Sequence, residues 1–246
     1  MNYYPIFKRE LKSYFGSWIA YIISSVFLIM SGFFFYTDLN FFILWKGQDI
    51  SEGLWQYFFL DVRFIILIMV PLLTMRLLSE EKKRGTIEIL FTLPLKDSEI
   101  ILGKYCACVT VFVVMLSLTI PYSIILSIMQ PIDFAPVAAG YLGLFLLGCS
   151  FISIGIFISS LTENDLVSAF VTFVILSLFW FISWNQGAGG ETINNILLRI
   201  SLFDHFLSFA RGVVETKDII YNLIFSLFFL FLTLKSLESR KWLGNR

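Results

Sequence analysis

The chain has 246 residues, of which 58% are hydrophobic, 18% aromatic and only 15% charged, and its 18 Lys and Arg balance its 18 Asp and Glu. A soluble domain carries about 25% charged residues, so this composition, with a mean hydropathy of +0.83, excludes a soluble enzyme or binding module and predicts an integral membrane protein. The zero balance says nothing about partners, because the placement of charge over the loops outweighs its sum in such a chain; no nucleic-acid partner is expected.

In chain order, residues 2–15 come first, with Tyr4, Phe7, Leu11 and Phe15 at helical spacing and Lys8, Arg9 and Lys12 elsewhere on the wheel. This pattern predicts an interfacial amphipathic helix lying on the membrane lipid before the chain turns into the bilayer. The apolar run that follows is longer than the about 7–15 residues of a signal-peptide core and no Ala-x-Ala site follows it. It is expected to remain as a membrane helix.

Charge-poor runs able to cross about 30 Å of hydrocarbon, at about 20 residues per helix, fall near residues 18–36, 58–78, 106–129, 136–161, 166–184 and 219–237. The fold class expected is therefore an all-α membrane protein with six transmembrane helices, forming a single transmembrane domain over residues 1–246. All Lys and Arg but Lys46, Arg63, Arg199, Arg211 and Lys217 fall on the side that holds both termini. By the positive-inside rule both termini are cytoplasmic.

The second span carries Asp61 and Arg63 at one end, read as anchors at the outer headgroup level, and Pro71 in its middle, where a kink and a pivot are expected. Cys106, Cys108 and Cys149 lie inside apolar runs without paired ligand spacing and are read as packing residues. No metal site and no catalytic residue is predicted.

Between the second and third spans stands SEEKKRGTIEILFTLPLKDSEIILGKY, residues 79–105. A helix from about Ser79 to Thr92 would align Ile87, Leu90 and Phe91 in a stripe and pair Glu80 with Arg84 and Arg84 with Glu88 at i,i+4. Pro94 ends it, and Asp97 or Ser98 can cap the next helix. A mixed-charge face beside an exposed apolar stripe suits docking on another protein better than contact with lipid. The short loop Thr162–Asp165 reads as a helix cap with Thr162 as acceptor.

On the remaining side, Gly187, Gly189 and Gly190 read as a turn and not a phosphate loop, since no strand precedes them and no Lys-Ser or Lys-Thr follows. Ile193, Ile196, Leu197 and Ile200, then Phe203, Phe206 and Leu207, make apolar stripes too short to span. The neighbours Asp204 and His205 have no further ligand nearby in the sequence.

The pattern Glu81-x-x-x-Gly85-Thr86-x-Glu88-x-Leu90-x-x-x-Pro94, followed by Ile101-Leu102-Gly103-Lys104, resembles the segment between the second and third helices of ABC-2 type exporter permeases. The six-span layout, the N-terminal amphipathic helix and the polar region before the last span match as well. The resemblance implies that the segment is a coupling helix docking on a separate ATP-binding subunit. Glu80, Glu81, Arg84, Gly85, Thr86, Glu88, Leu90 and Pro94 would make that contact, and Glu163 a second, smaller one. It also implies short re-entrant helices, with Phe203, Asp204, His205 and Phe206 at an extracytoplasmic gate.

Two ATP-binding chains would hold ATP and Mg, with no cofactor in this chain, and a second permease copy or a related permease would complete the pathway in a bacterial inner membrane. The run from Phe203 to Asp218 and the ending Ser236-Leu237-Glu238-Ser239-Arg240-Lys241-Trp242 look most like gliding-motility-type permeases. Such permeases often work with a further membrane subunit bearing an extracytoplasmic domain. Related permeases of copper-enzyme maturation suggest, as the alternative, mechanical work on a periplasmic partner. An intramembrane enzyme would need catalytic groups inside the spans, whereas the charges here sit at their ends. A purely structural subunit would leave the 79–94 segment unexplained.

Overall fold

A computed structural model describes residues 3–46, 50–86, 96–129, 133–184 and 201–243. The described helices are α1 (Tyr4–Gly16), α2 (Trp18–Phe41, continued by a π-helical turn, Phe42–Lys46), α3 (Ile50–Thr74), α4 (Ser79–Lys83), α5 (Asp97–Ser117), α6 (Ile120–Met129), α7 (Phe134–Leu161), α8 (Asp165–Trp184), α9 (Leu202–Ala210) and α10 (Thr216–Leu243).

Among the described residues five stretches are long and apolar enough to cross a membrane: Trp18–Leu44, Gly53–Lys83, Asp97–Ile128, Phe134–Leu161 and Thr216–Ser239. Residues 166–184, expected as a further span, lie in α8, whose apolar part Asp165–Phe181 is shorter.

Helix ends follow local chemistry. Ser17 stands in extended backbone between α1 and α2, and its Oγ accepts from the Ile19 N–H at 3.3 Å, so the chain turns there. Asp133 caps α7 through Ala135 N–H at 3.0 Å, and Ser201 caps α9 through Asp204 N–H at 3.2 Å. Two caps differ from expectation. Asn164, not Thr162, accepts from Leu166 N–H at 3.0 Å, while the Thr162 hydroxyl donates back to Ile158 O at 3.4 Å. At α5 neither Asp97 nor Ser98 caps; Glu99 reaches back to Lys96 N–H at 3.3 Å.

The expected third span is two helices, α5 and α6, meeting at Leu118 and Thr119. Pro121 lacks an N–H and crowds the carbonyl one turn earlier, and the Thr119 hydroxyl donates to Leu116 O at 2.7 Å. Helix α3, by contrast, runs through Pro71 and ends at Thr74. The helix expected to continue to about Leu78 therefore ends one turn after Pro71, at Met75–Leu78.

Helix α7 is the axis of the bundle: 83% of its apolar window is buried, against 17% for α10. Its glycines make this possible. A Cβ at Gly140 would collide with Phe59, at Gly143 with Phe209, at Gly148 with Phe112 and at Gly155 with Thr74, so α3, α5 and α9 each drive a side chain into a notch on α7. In lipid, where apolar surface gains little by leaving one apolar medium for another, such close approach drives helix association.

Helix α10 adds a polar ladder along α7. Ser150 Oγ donates to Asn222 Oδ1 at 2.9 Å, and the Ser160 hydroxyl meets Ser236 Oγ at 3.1 Å. Toward the far end, Phe35 stacks on Tyr122 at 5.1 Å and meets Phe58 edge-on at 5.8 Å, while Phe59 meets Tyr141 at 5.4 Å, joining α2, α3, α6 and α7.

Gly148→Val forces three carbons against the Phe112 ring and is expected to cost about 2 kcal/mol or more. It should lower the thermal midpoint in detergent and shift the protein toward aggregate on size exclusion. Gly16→Ala, where a Cβ meets nothing within 4 Å, should leave the midpoint unchanged or slightly raised.

Candidate functional site: the root of the 79–94 segment

The segment between α3 and α5 begins as the five residues of α4, little more than one turn, and is stopped early. Gly85 takes φ 68°, Gly85 N–H donates to Lys82 O and Thr86 N–H to Glu81 O, both at 3.0 Å. This is the Schellman arrangement, with glycine in the left-handed position. The continuous helix expected from Ser79 to Thr92 is thus interrupted at Arg84–Thr86. Glu88, Leu90 and Pro94, with the stripe of Ile87 and Phe91, lie outside the described residues.

Where α3 breaks, the freed backbone groups must find partners in a medium that offers none. Ser159 of α7 supplies them. Its Oγ accepts from Leu78 N–H at 3.0 Å and Ser79 N–H at 3.1 Å and donates to Met75 O at 3.2 Å, which uses the full capacity of a hydroxyl. Beside it the Ser79 hydroxyl faces Asp165 Oδ1 at 2.5 Å, and the buried Lys82 ammonium donates to Ser160 O. The start of α4 is therefore bolted to the corner between α7 and α8.

A second tie runs the other way. Lys104 of α5, with its side chain 1% exposed, meets Glu81 Oε1 at 2.9 Å and Glu10 Oε1 at 3.1 Å. Arg9 of α1 meets the same two oxygens, at 2.9 and 2.8 Å. Two cations and two carboxylates alternate, so each charge has two opposite neighbours. Burial pushes the Glu10 carboxyl up, but the Lys104 charge and the hydrogen bonds from Arg9 and Lys104 outweigh it and hold it below its ordinary 4.5. Burial likewise pulls Arg9 down, and Glu10 and Glu81 leave it above its ordinary value.

This network turns α1. The buried face of the helix carries Ile6, whose side chain fills the space over Gly103, and Tyr14, whose hydroxyl donates to Leu73 O at 2.9 Å. Tyr4 and Phe15, expected on one stripe with Phe7 and Leu11, are exposed. The expected stripe is therefore split between protein and lipid.

Among the sequence-predicted residues, Glu80 pairs with Arg84 at 2.5 Å, as the i,i+4 spacing required, and Arg84 is exposed. Gly85 and Thr86 form the turn. Glu81 faces inward to Arg9 and Lys104. Glu163 is exposed at the α7–α8 corner, on the same end of the bundle.

Phe203 and Phe206 are buried at the opposite end, on α9, which terminates in a second Schellman turn at Gly212 with φ 81°. The Arg63 guanidinium lies 5.1 Å from the Phe203 ring and 5.9 Å from Phe206, so the residue read as a lipid anchor holds α9. His205 bonds Asp218 Oδ1 at 2.6 Å and stacks on Tyr221 at 4.1 Å. Among the described residues no group of three or more His, Cys, Asp or Glu is placed to hold a metal ion.

Ser159, Glu10 and the pairing roles of Arg9 and Lys104 were not legible in the sequence pattern. Only a charged residue inside an apolar helix start, Lys104 after Ile100, Ile101 and Leu102, signalled that a partner was needed.

Lys104→Met leaves Glu10 and Glu81 to Arg9 alone in a mostly buried site and is expected to destabilise by about 3 kcal/mol. Adding Glu81→Gln should restore part of that, a coupling that a double-mutant cycle in denaturant measures. Because the Glu10 carboxyl lies lower in the folded protein than its ordinary 4.5, its contribution is full above that value and is lost as pH falls through the folded value. The thermal midpoint should therefore drop on acidification below about pH 4.5, and Glu10→Gln should flatten this part of the profile.

No curated protein matches the chain. A family model described as ABC-2 family transporter protein matches residues 4–235, almost the whole length. The chain belongs to this family and is the multi-pass, non-catalytic membrane permease of an ABC-2 type transporter, a subunit without an ATPase domain of its own that works with ATP-binding subunits.

Proposed function

We propose that this chain lines one half of an export pathway and that residues 79–94 receive the stroke of a separate ATP-binding subunit. The observation that carries the reading is the double tie at the root of that segment. Ser159, Ser160 and Asp165 hold it to the α7–α8 corner, and Glu81 holds it through Lys104 and Arg9 to α5 and α1. A lever transmits force only where its base cannot slip, and here displacement of one short helix pulls on four others.

In this reading α8 crosses the membrane as the fifth of six spans, and both termini, with the Lys and Arg around them, face the cytoplasm. Arg84, Thr86, Glu88, Leu90 and Pro94 meet the ATP-binding subunit, Glu80 orients Arg84, Gly85 makes the turn, and Glu81 anchors the base. Glu163 adds the smaller second contact. Phe203, Asp204, His205 and Phe206 close the pathway at the outer end, where Arg63 links α9 to α3 and so to the lever.

Two such permeases, identical or related, pair across the pathway with two ATP-binding subunits, which hold ATP and Mg. The likeness of residues 203–218 and 236–242 to gliding-motility-type permeases supports assignment to that branch, with a further membrane subunit on the outer side.

Purification of the complex from its own membrane in mild detergent tests the division of roles. Glu88→Arg is expected to reduce recovery of the ATP-binding subunit about tenfold, equivalent to ~1.4 kcal/mol, with the permease still monodisperse. Ser159→Ala, which removes the shared partner of two N–H groups, is expected to keep the subunit bound while lowering substrate-stimulated ATP hydrolysis. Full recovery and full turnover in the Glu88→Arg complex would sink the contact assignment.

A further inference from the structure

At the elbow where α1 turns into α2 lies a cavity of about 90 Å³, closed on its other side by the end of α3 and the start of α4. Its lining changes with depth. Ser13, Ser17 and Arg76 stand at the level of α1, while Ala20, Ile23 and Leu72 stand further into the bundle. Ile23 is six residues beyond Ser17, about 9 Å along a helix, so the polar part sits at headgroup depth and the apolar part at the start of the acyl region.

Charge decides what the polar part accepts. Both carboxylates that reach the cavity are already matched, Glu10 by Lys104 and Arg9 and Glu80 by Arg84. Arg76, exposed at the rim, has no ion-pair partner among the described residues. The Ser17 hydroxyl accepts from Ile19 N–H and keeps its own proton to donate. The surplus is one guanidinium with hydroxyls beside it, which suits a phosphate.

The volume is far below that of a pocket for a whole small molecule, about 300 Å³ or more. A lipid needs no more than this, because only the headgroup and first methylenes enter and the rest stays in the bilayer. Leu72, on the apolar side, is exposed, so a chain can leave in that direction.

The geometry points to a phospholipid site in the leaflet that carries α1, with the lipid phosphate on Arg76 and an acyl chain over Ala20, Ile23 and Leu72. Such a lipid wedges between the interfacial helix and the root of the 79–94 segment.

The test uses the intact purified complex in nanodiscs containing phosphatidylglycerol with a photoactivatable diazirine in the upper half of one acyl chain. Irradiation and peptide mapping are expected to label the Ile19–Ile23 and Leu72 peptides several-fold more than the exposed Leu227 and Phe228 of α10. Arg76→Gln should remove that excess and Arg76→Lys keep most of it. Ala20→Phe, which fills the apolar floor with the arginine intact, should also remove it. Equal labelling of both faces in the wild type, or an excess that survives Arg76→Gln, means ordinary boundary lipid and overturns the proposal. Loss of the excess on adding inorganic phosphate assigns the site to a soluble anion and overturns it as well.

Discussion

One serine hydroxyl carries the break on which the putting together of this end of the molecule depends. A helix that stops near the membrane surface frees amide and carbonyl groups that neither lipid nor distant water can satisfy. At Met75–Leu78 the chain stops α3 and restarts as α4, and Ser159 meets two of the freed N–H groups and one carbonyl with a single Oγ. That oxygen belongs to α7, the most buried helix. The break is therefore also a joint: a movement of α4 against α7 must break the Leu78 and Ser79 N–H bonds to Ser159 together, and α4 and α7 are expected to move as one.

Electrostatics supplies the complementary constraint from the other side. Lys104 is buried among apolar neighbours, and an ammonium there is tolerable only because two carboxylates from two different helices converge on it. Arg9 then balances the second negative charge. The arrangement is directional, since each carboxylate is pulled by cations on two elements, so α1 cannot roll on α5 without separating opposite charges. This explains why the helix presents Ile6, Glu10 and Tyr14 inward and leaves Tyr4 and Phe15 to lipid, at the expense of its most apolar stripe.

Packing on α7 connects the two ends. Gly155 receives Thr74 next to the joint, Gly148 receives Phe112 midway, and Gly143 receives Phe209 near α9. Such notches leave no slack, because interiors packed at this density switch between arrangements and do not deform smoothly. Helix α9 is held from α3 by Arg63 over two phenylalanine rings, so α3 touches both the joint and α9. Under the function proposed above, a single helix spans the distance between the place where force would enter and the place where it would be used.

Composition, charge-poor runs and residue spacing, taken alone, determined the membrane class, the positions of five of the six expected spans and the Glu80–Arg84 pair, because each rests on local chemistry: hydropathy over about 20 residues and i,i+4 geometry. The residue pattern from Glu81 to Pro94 likewise carried the family. The tertiary structure decided the rest. Which of several charged residues face inward, which hydroxyl caps the broken helix, and which arginine holds α9 depend on partners far apart in the chain, such as Arg9 with Glu81 or Leu78 with Ser159. No periodicity encodes those meetings. The end of α4 at Gly85 is the intermediate case: the glycine is visible in the sequence, but whether it relaxes a helix or ends it follows only from the left-handed backbone that the packed corner selects.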